Sequence, residues 1–241
     1  MSLPQTLSLN ALAHIRDRFA MREIGAPYKT LTSAFGQVGE IRVFTGEAVA
    51  KMVYISMAVP QFGLDSHMIF AFTPSGSPVP HFTLDSVLNA PDFAFHLDLI
   101  PRLDMGANLA YMDYCFGPLT ETYEAAAQIE GLKPAKLGPR QYAIMSPWML
   151  VYRANESAFE AIQAPVSAYL EHWAGLVEQG IPSDVTEGAS AESLAERDRR
   201  NRGIIFNPSV DKVWAQVDRL LGAETSAQMR EILIKQTVES L

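Results

Sequence analysis

The chain has 241 residues, 48% of them hydrophobic, and a formal net charge of -8. That length supports one sizeable core and requires no second domain, so residues 1–241 are expected to form a single domain. The acidic balance argues against non-specific nucleic-acid binding, and the single cysteine, Cys115, excludes an intrachain disulfide, a cysteine-held iron–sulfur cluster and a cysteine-built zinc site.

The N-terminus shows no basic region followed by an apolar run and a small-residue cleavage site. No uninterrupted apolar run approaches the roughly 20 residues of a membrane-spanning helix. The expectation is a soluble, cytoplasmic protein with no membrane contact.

In chain order, Leu12, Ile15 and Phe19 recur at helical spacing between Leu9 and Glu23, predicting an amphipathic first helix that ends at the turn residues Gly25 and Pro27. Three strands follow, around Glu40 to Phe44, Lys51 to Ala58 and His67 to Phe72, separated by short connectors that favour an antiparallel meander. The proline- and glycine-rich loop from Thr73 to Pro80 leads into two strands with alternating polarity. In the first, Phe82 and Leu84 take one face while His81, Thr83 and Asp85 take the other. In the second, Phe93, Phe95, Leu97 and Leu99 share a face and leave His96 and Asp98 on the opposite one.

Asn108 to Ala127 reads as helix interrupted near Gly117-Pro118, and Gln141 to Tyr152 as a last strand. From Ser157 onward the pattern is helical, with loops at Gly180 to Gly188 and Gly203 to Ser209. A helix, a run of strands and then helices predict a central antiparallel sheet covered by helices.

Several signals are missing. There is no Walker-type phosphate loop, no G-x-G-x-x-G after a strand and no G-x-S-x-G elbow. The five histidines, His14, His67, His81, His96 and His172, form no H-E-x-x-H, so a metal site has no support. If the chain is an enzyme, its own groups handle protons and another molecule brings the electrons.

The segment Pro80-His81-x-x-x-Asp85, then Leu97-Asp98-Leu99-Ile100-Pro101-Arg102-Leu103-Asp104, resembles the core signature of red chlorophyll catabolite reductase, within the ferredoxin-dependent bilin reductase superfamily. The similarity continues through Ala168 to Trp173 and Leu194 to Asp198, covering most of the chain from about Gly36. The resemblance implies a three-layer α/β/α sandwich around an antiparallel sheet of about seven strands. It also implies an open-chain tetrapyrrole bound between the sheet and the C-terminal helices, no intrinsic cofactor, and reduced ferredoxin delivering single electrons that alternate with protons through radical intermediates.

Asp85 falls at the family's acidic position on the sheet, where the implied role is to protonate the reduced pigment. For a second position over the opposite pigment face, Asp211 aligns by its distance to Gly222 and Asn207 through Ile204-Ile205-Phe206. Asp211 is preferred because a carboxyl donates a proton readily. Where many bilin reductases carry a Glu and a His on neighbouring strands, this chain has Ser56 and Met68, with His67 one position away. That departure favours the chlorophyll-catabolite branch over a phycocyanobilin-type reductase. Lys136 and Arg140 lie near a basic family position and are candidates for holding the pigment's propionates by charge-assisted hydrogen bonds.

His81 and His96 complete the candidate pigment contacts, each with a structural alternative: His81 fixing the preceding loop, His96 paired with Asp98. Arg102 and Asp104 read as a clamp on the following turn. Arg197, Arg199, Arg200 and Arg202 read either as a solvated helix face balanced by Glu192, Glu196 and Asp198, or as a docking patch for acidic ferredoxin together with Lys133 and Lys136. The competing functional readings are a biliverdin or bilin reductase, and a non-catalytic tetrapyrrole-binding protein.

Overall fold

The computed structural model describes residues 1–25 and 30–237; Pro27, read above as a turn residue, lies outside the described residues. Helix α1 spans Leu3–Arg18, earlier than the apolar spacing from Leu9 suggested. Its start is set by Ser2, whose hydroxyl accepts the Gln5 N–H, and by Pro4 in the first turn, where a missing N–H costs nothing. Leu7, Ala11, Leu12 and Ile15 form its buried stripe.

The strands are β1 (Arg22–Ile24), β2 (Leu31–Ser33), β3 (Gly36–Thr45), β4 (Lys51–Val59), β5 (Leu64–Phe72), β6 (His81–Asn89), β7 (Asp92–Ile100), β8 (Leu132–Pro134) and β9 (Leu150–Ala154). They form one nine-stranded sheet in the order β1-β3-β4-β5-β6-β7-β9-β8, with β2 also on β3. Every pairing is antiparallel. The three strands beyond the six read from the sequence pattern are the three-residue β1, β2 and β8, too short to show alternation.

The strand expected from Gln141 to Tyr152 is confined to Leu150–Ala154. Pro139 instead opens a single helical turn, α4 (Pro139–Tyr142), and Pro147 cannot donate to a ladder. The remaining helices are α2 (Leu109–Cys115), α3 (Thr120–Ala126), α5 (Glu156–Ala161), α6 (Gln163–Gln179), α7 (Ala191–Ile205), α8 (Val213–Leu221) and α9 (Ala223–Ile234). Helix α7 runs through Gly203, and the loop expected there begins only at Phe206, two residues before the breaker Pro208.

Each sheet face carries its own core, which makes the architecture α/β/α. On one face Phe82, Leu84, Phe95 and Leu97 pack against α1 and α6. Trp173 of α6 lies fully buried there, 5.5 Å from Phe82 and donating its indole N–H to the Pro80 carbonyl at 2.8 Å. On the other face Ile41, Val43, Val53 and Ile55 pack against α8 and α9, through Trp214, Val217, Met229 and Leu233. The α8 layer leaves a space above β5, β6 and β7, and that space holds the site.

Candidate substrate cavity

The pleat decides which side chains meet. Asp85 on β6 sits opposite His96 on β7 and Met68 on β5, so all three point to the α8 side of the sheet. They line a cavity of about 250 Å³ with Thr83, Ser66, Met57 and Phe70 below and Phe206, Asp211 and Trp214 above. Leu137, Gln141 and Met145 close one side.

The lining is mostly apolar, yet four of its buried polar atoms have no hydrogen-bond partner among the described residues: Thr83 Oγ1, Asp85 Oδ1, His96 Nε2 and Trp214 Nε1. Native interiors rarely leave such atoms unpaired, because each costs its full desolvation. Four together in one lining mark a place built to meet polar groups of something else.

His96 Nδ1 lies 3.7 Å from Asp85 Oδ2, an ion-pair distance rather than a hydrogen bond. Burial acts to lower the imidazole's pKa, but the carboxylate of Asp85, aided by the charges of Asp98 and Asp211, outweighs it and holds the pKa above the ordinary value. The Asp211 pKa is raised, first by burial and then by the charge of Asp85, while the Val213 N–H it accepts at 3.0 Å opposes the shift. The pair on the sheet and the carboxyl above it thus form one electrostatically linked group.

The other sequence-derived candidates lie elsewhere. His67 and Ser56 face each other across β4 and β5 on the opposite side of the sheet. There His67 bonds Tyr54 at 2.7 Å and Asp65 at 2.9 Å, and Asp65 in turn accepts the Ser2 hydroxyl that caps α1. One residue of offset reverses the face, so Met57 and Met68, not Ser56 and His67, reach the cavity.

His81 is buried under α7. Its Nδ1 accepts the Thr73 N–H at 3.1 Å, so Nε2 carries the proton and donates to Asp198 at 2.7 Å. Burial, with the Arg102 charge second, lowers its pKa to about 3. It is a neutral structural residue and does not line the cavity. Lys136 and Arg140 are exposed, with Arg140 donating to the Ser209 carbonyl at 3.1 Å, and only their neighbours Leu137 and Gln141 reach the lining. Asn207 is exposed, and its Oδ1 accepts the Ser209 N–H at 2.8 Å; Asp211 is the one of the two in the lining.

Asp98 does not pair with His96 as its main partner. It is fully buried and accepts the Ser146 N–H at 3.0 Å and hydroxyl at 2.5 Å, with its pKa raised by burial to about 6. Arg102 clamps the preceding loop rather than Asp104, donating to Thr73 Oγ1 at 3.1 Å and the Ser75 carbonyl at 2.5 Å. Nor do the α7 arginines share one surface. Arg202 is buried against Asp198, Arg197 donates to the Pro101 carbonyl, and Arg199 and Arg200 both pair with Glu196.

Thr83 and Trp214 are cavity residues that the sequence reading did not single out as site candidates. Alternation places Thr83 beside Asp85, so it was recoverable; Trp214, an indole in an amphipathic helix, carries no signal that separates site from core. Among the described residues no group of three or more His, Cys, Asp or Glu could hold a metal ion, and no helix is long and apolar enough to cross a membrane. The Cys115 thiol is buried, which pushes its pKa up to about 12.

A large antiparallel sheet lies between helical layers, with a cavity between the sheet and the C-terminal helices, an arrangement shared with solved structures. The particular likeness is to the crystal structure of phytochromobilin synthase from tomato in complex with biliverdin. The TM-score is 0.79 at 15% sequence identity, over 98% of this chain and 84% of that one. No family model matches the sequence, and neither does any curated protein.

Proposed function

We propose that this protein is a ferredoxin-dependent reductase of a linear tetrapyrrole, resembling red chlorophyll catabolite reductase, with no cofactor of its own. The observation that carries the reading is the set of four unpartnered polar atoms in an otherwise apolar cavity. A conjugated open-chain pigment offers flat apolar faces to Met57, Met68, Phe70 and Phe206. Its pyrrole N–H groups and terminal lactam oxygens supply the donors and acceptors that Asp85, Thr83, His96 and Trp214 lack. The likeness to a fold crystallised with biliverdin supports the same choice.

In this reading Asp85 and His96 work as one proton-handling pair. A charged imidazole beside a carboxylate can pass a proton to a pigment that has just gained an electron, and the pair is refilled from solvent between electrons. Asp211 stands over the cavity from the other side, its pKa raised first by burial and then by the charge of Asp85, and is placed to serve the second proton. Electrons arrive one at a time from reduced ferredoxin, since the pair moves only protons.

The second reading is a reductase of biliverdin or another bilin. Met68 stands beside Asp85 where many bilin reductases have a His, which favours the chlorophyll-catabolite branch. The third, a pigment carrier without turnover, is separated by Asp85→Asn. That variant should bind pigment within about tenfold of the parent and lose turnover by about a hundredfold or more, the usual span for a positioned acid. Turnover unchanged in Asp85→Asn would remove Asp85 from the mechanism.

A further inference from the structure

We propose that the pigment extends beyond the Asp85–His96 cavity into a second chamber, where Arg219 anchors one of its carboxylate substituents and Phe35 with Phe62 walls its apolar end. The inference rests on the tetrapyrrole reading above and adds where, on this chain, the far half of the substrate is held.

Size requires it. The first cavity, about 250 Å³, falls below the roughly 300 Å³ at which small-molecule sites begin, and a four-ring pigment needs more. The adjoining chamber is about 570 Å³, and the two share walls at Met57, Ser66, Val87 and Val213. Those four residues set the two chambers side by side along the same strands.

The second chamber has its own chemistry. Helix α8 turns Val213, Val217 and Leu220 toward it at helical spacing, with Gln216 and Arg219 flanking that stripe. Phe35, in the turn between β2 and β3, meets Phe62, in the turn between β4 and β5, edge to face at 5.1 Å between ring centroids. They remain 50% and 57% exposed, large aromatic surfaces left at the mouth of a cavity by two separate turns.

Arg219 is the only lysine or arginine among the described residues that line either chamber. Its side chain makes no hydrogen bond or ion pair among the described residues. A guanidinium at the rim of an apolar chamber suits a flexible carboxylate, gripped bidentately while the hydrophobic body stays inside. Lys136 and Arg140, expected from sequence to do this, line neither chamber.

The test titrates wild type, Arg219→Gln and Lys136→Ala with biliverdin and with biliverdin dimethyl ester, whose carboxylates are capped, following the pigment's absorption. Arg219 is exposed, so its substitution leaves folding intact. The expected result is about tenfold weaker biliverdin binding in Arg219→Gln, with ester affinity unchanged and Lys136→Ala like wild type. Unaltered biliverdin affinity in Arg219→Gln, or equal loss for both ligands, would overturn the anchor while leaving the tetrapyrrole reading in place. If wild type binds red chlorophyll catabolite but not biliverdin, unaltered affinity for that catabolite in Arg219→Gln overturns the anchor; if it binds none of the three, the tetrapyrrole reading fails and the anchor falls with it.

Discussion

Replacing Asp198 by Asn should unfold the protein far more readily while telling little about pigment chemistry, and the size of the loss follows from the geometry. Asp198 is 1% exposed and accepts the His81 imidazole at 2.7 Å, the Arg202 guanidinium at about 3 Å and the Gln236 amide at 2.8 Å. Arg102 lies 3.9 Å away, and Arg202 stacks on Phe72 at 3.9 Å. An asparagine keeps one acceptor but turns its amide N–H₂ toward donors, and it leaves two buried guanidinium groups without their counter-charge. Breaking a buried ion pair from one side costs about 3–5 kcal/mol, a large part of the roughly 5–15 kcal/mol that holds a domain folded. Urea unfolding of wild type and Asp198→Asn, at matched slope, reads this as a lower midpoint. Although burial opposes it, the bonds from His81 and the charges of Arg102 and Arg202 depress the Asp198 pKa. Its contribution is therefore present above the unfolded value near 4 and lost as pH falls through the lower folded value. A loss under about 1 kcal/mol, or one that does not shrink below pH 4, would refute the assignment of this cluster as structural.

Asp98→Asn should behave in the opposite sense. The folded pKa near 6 lies above the ordinary carboxyl value, so ionised Asp98 destabilises wild type above pH 6 and the penalty disappears below about pH 4. The stability of wild type relative to Asp98→Asn should then rise by on the order of 2 kcal/mol between pH 7 and pH 4, measured by paired denaturant titrations; a pH-independent difference would contradict it. Asp211→Asn should slow reduction by about tenfold to a hundredfold in single-turnover absorption traces, whereas Asn207→Ala should leave the traces unchanged. His81→Ala should lower the thermal midpoint by several degrees and leave pigment affinity per folded molecule intact, read by combining calorimetry with titration.

Much of this fold can be read from alternation. The run from His81 to Asp85 and the run from Phe93 to Leu99 each put their apolar side chains on one face, and the observed pairing of Asp85 with His96 follows from that pattern plus register. Register was the missing quantity elsewhere. His67 and Met68 differ by one position, and only the pairing of Met68 with Asp85 shows that the methionine, not the imidazole, faces the cavity. The α7 arginines illustrate a second limit. Four cations within one helix look alike in sequence, but the turn carrying Asp198 and Arg202 points into the sheet while Arg199 and Arg200 point out. Lys51 was similarly opaque. It begins a strand, yet it is buried with its ammonium donating to the carbonyls of Ile232 and Lys235, a contact across the whole chain that no local pattern encodes. The second chamber depends on Phe35 and Phe62, whose meeting is set by two turns at the same end of the sheet.

The measurement that bears most directly on the central claim is an anaerobic absorption assay in which the purified protein receives red chlorophyll catabolite and biliverdin separately, with reduced ferredoxin supplied and then withheld. The long-wavelength band of red chlorophyll catabolite should be lost only when the donor is present, and that loss should be abolished in Asp85→Asn with pigment still bound. Donor-dependent loss with biliverdin alone would move the substrate to the bilins. A spectral shift on binding without turnover of either pigment, in the presence of active donor, would contradict the reductase.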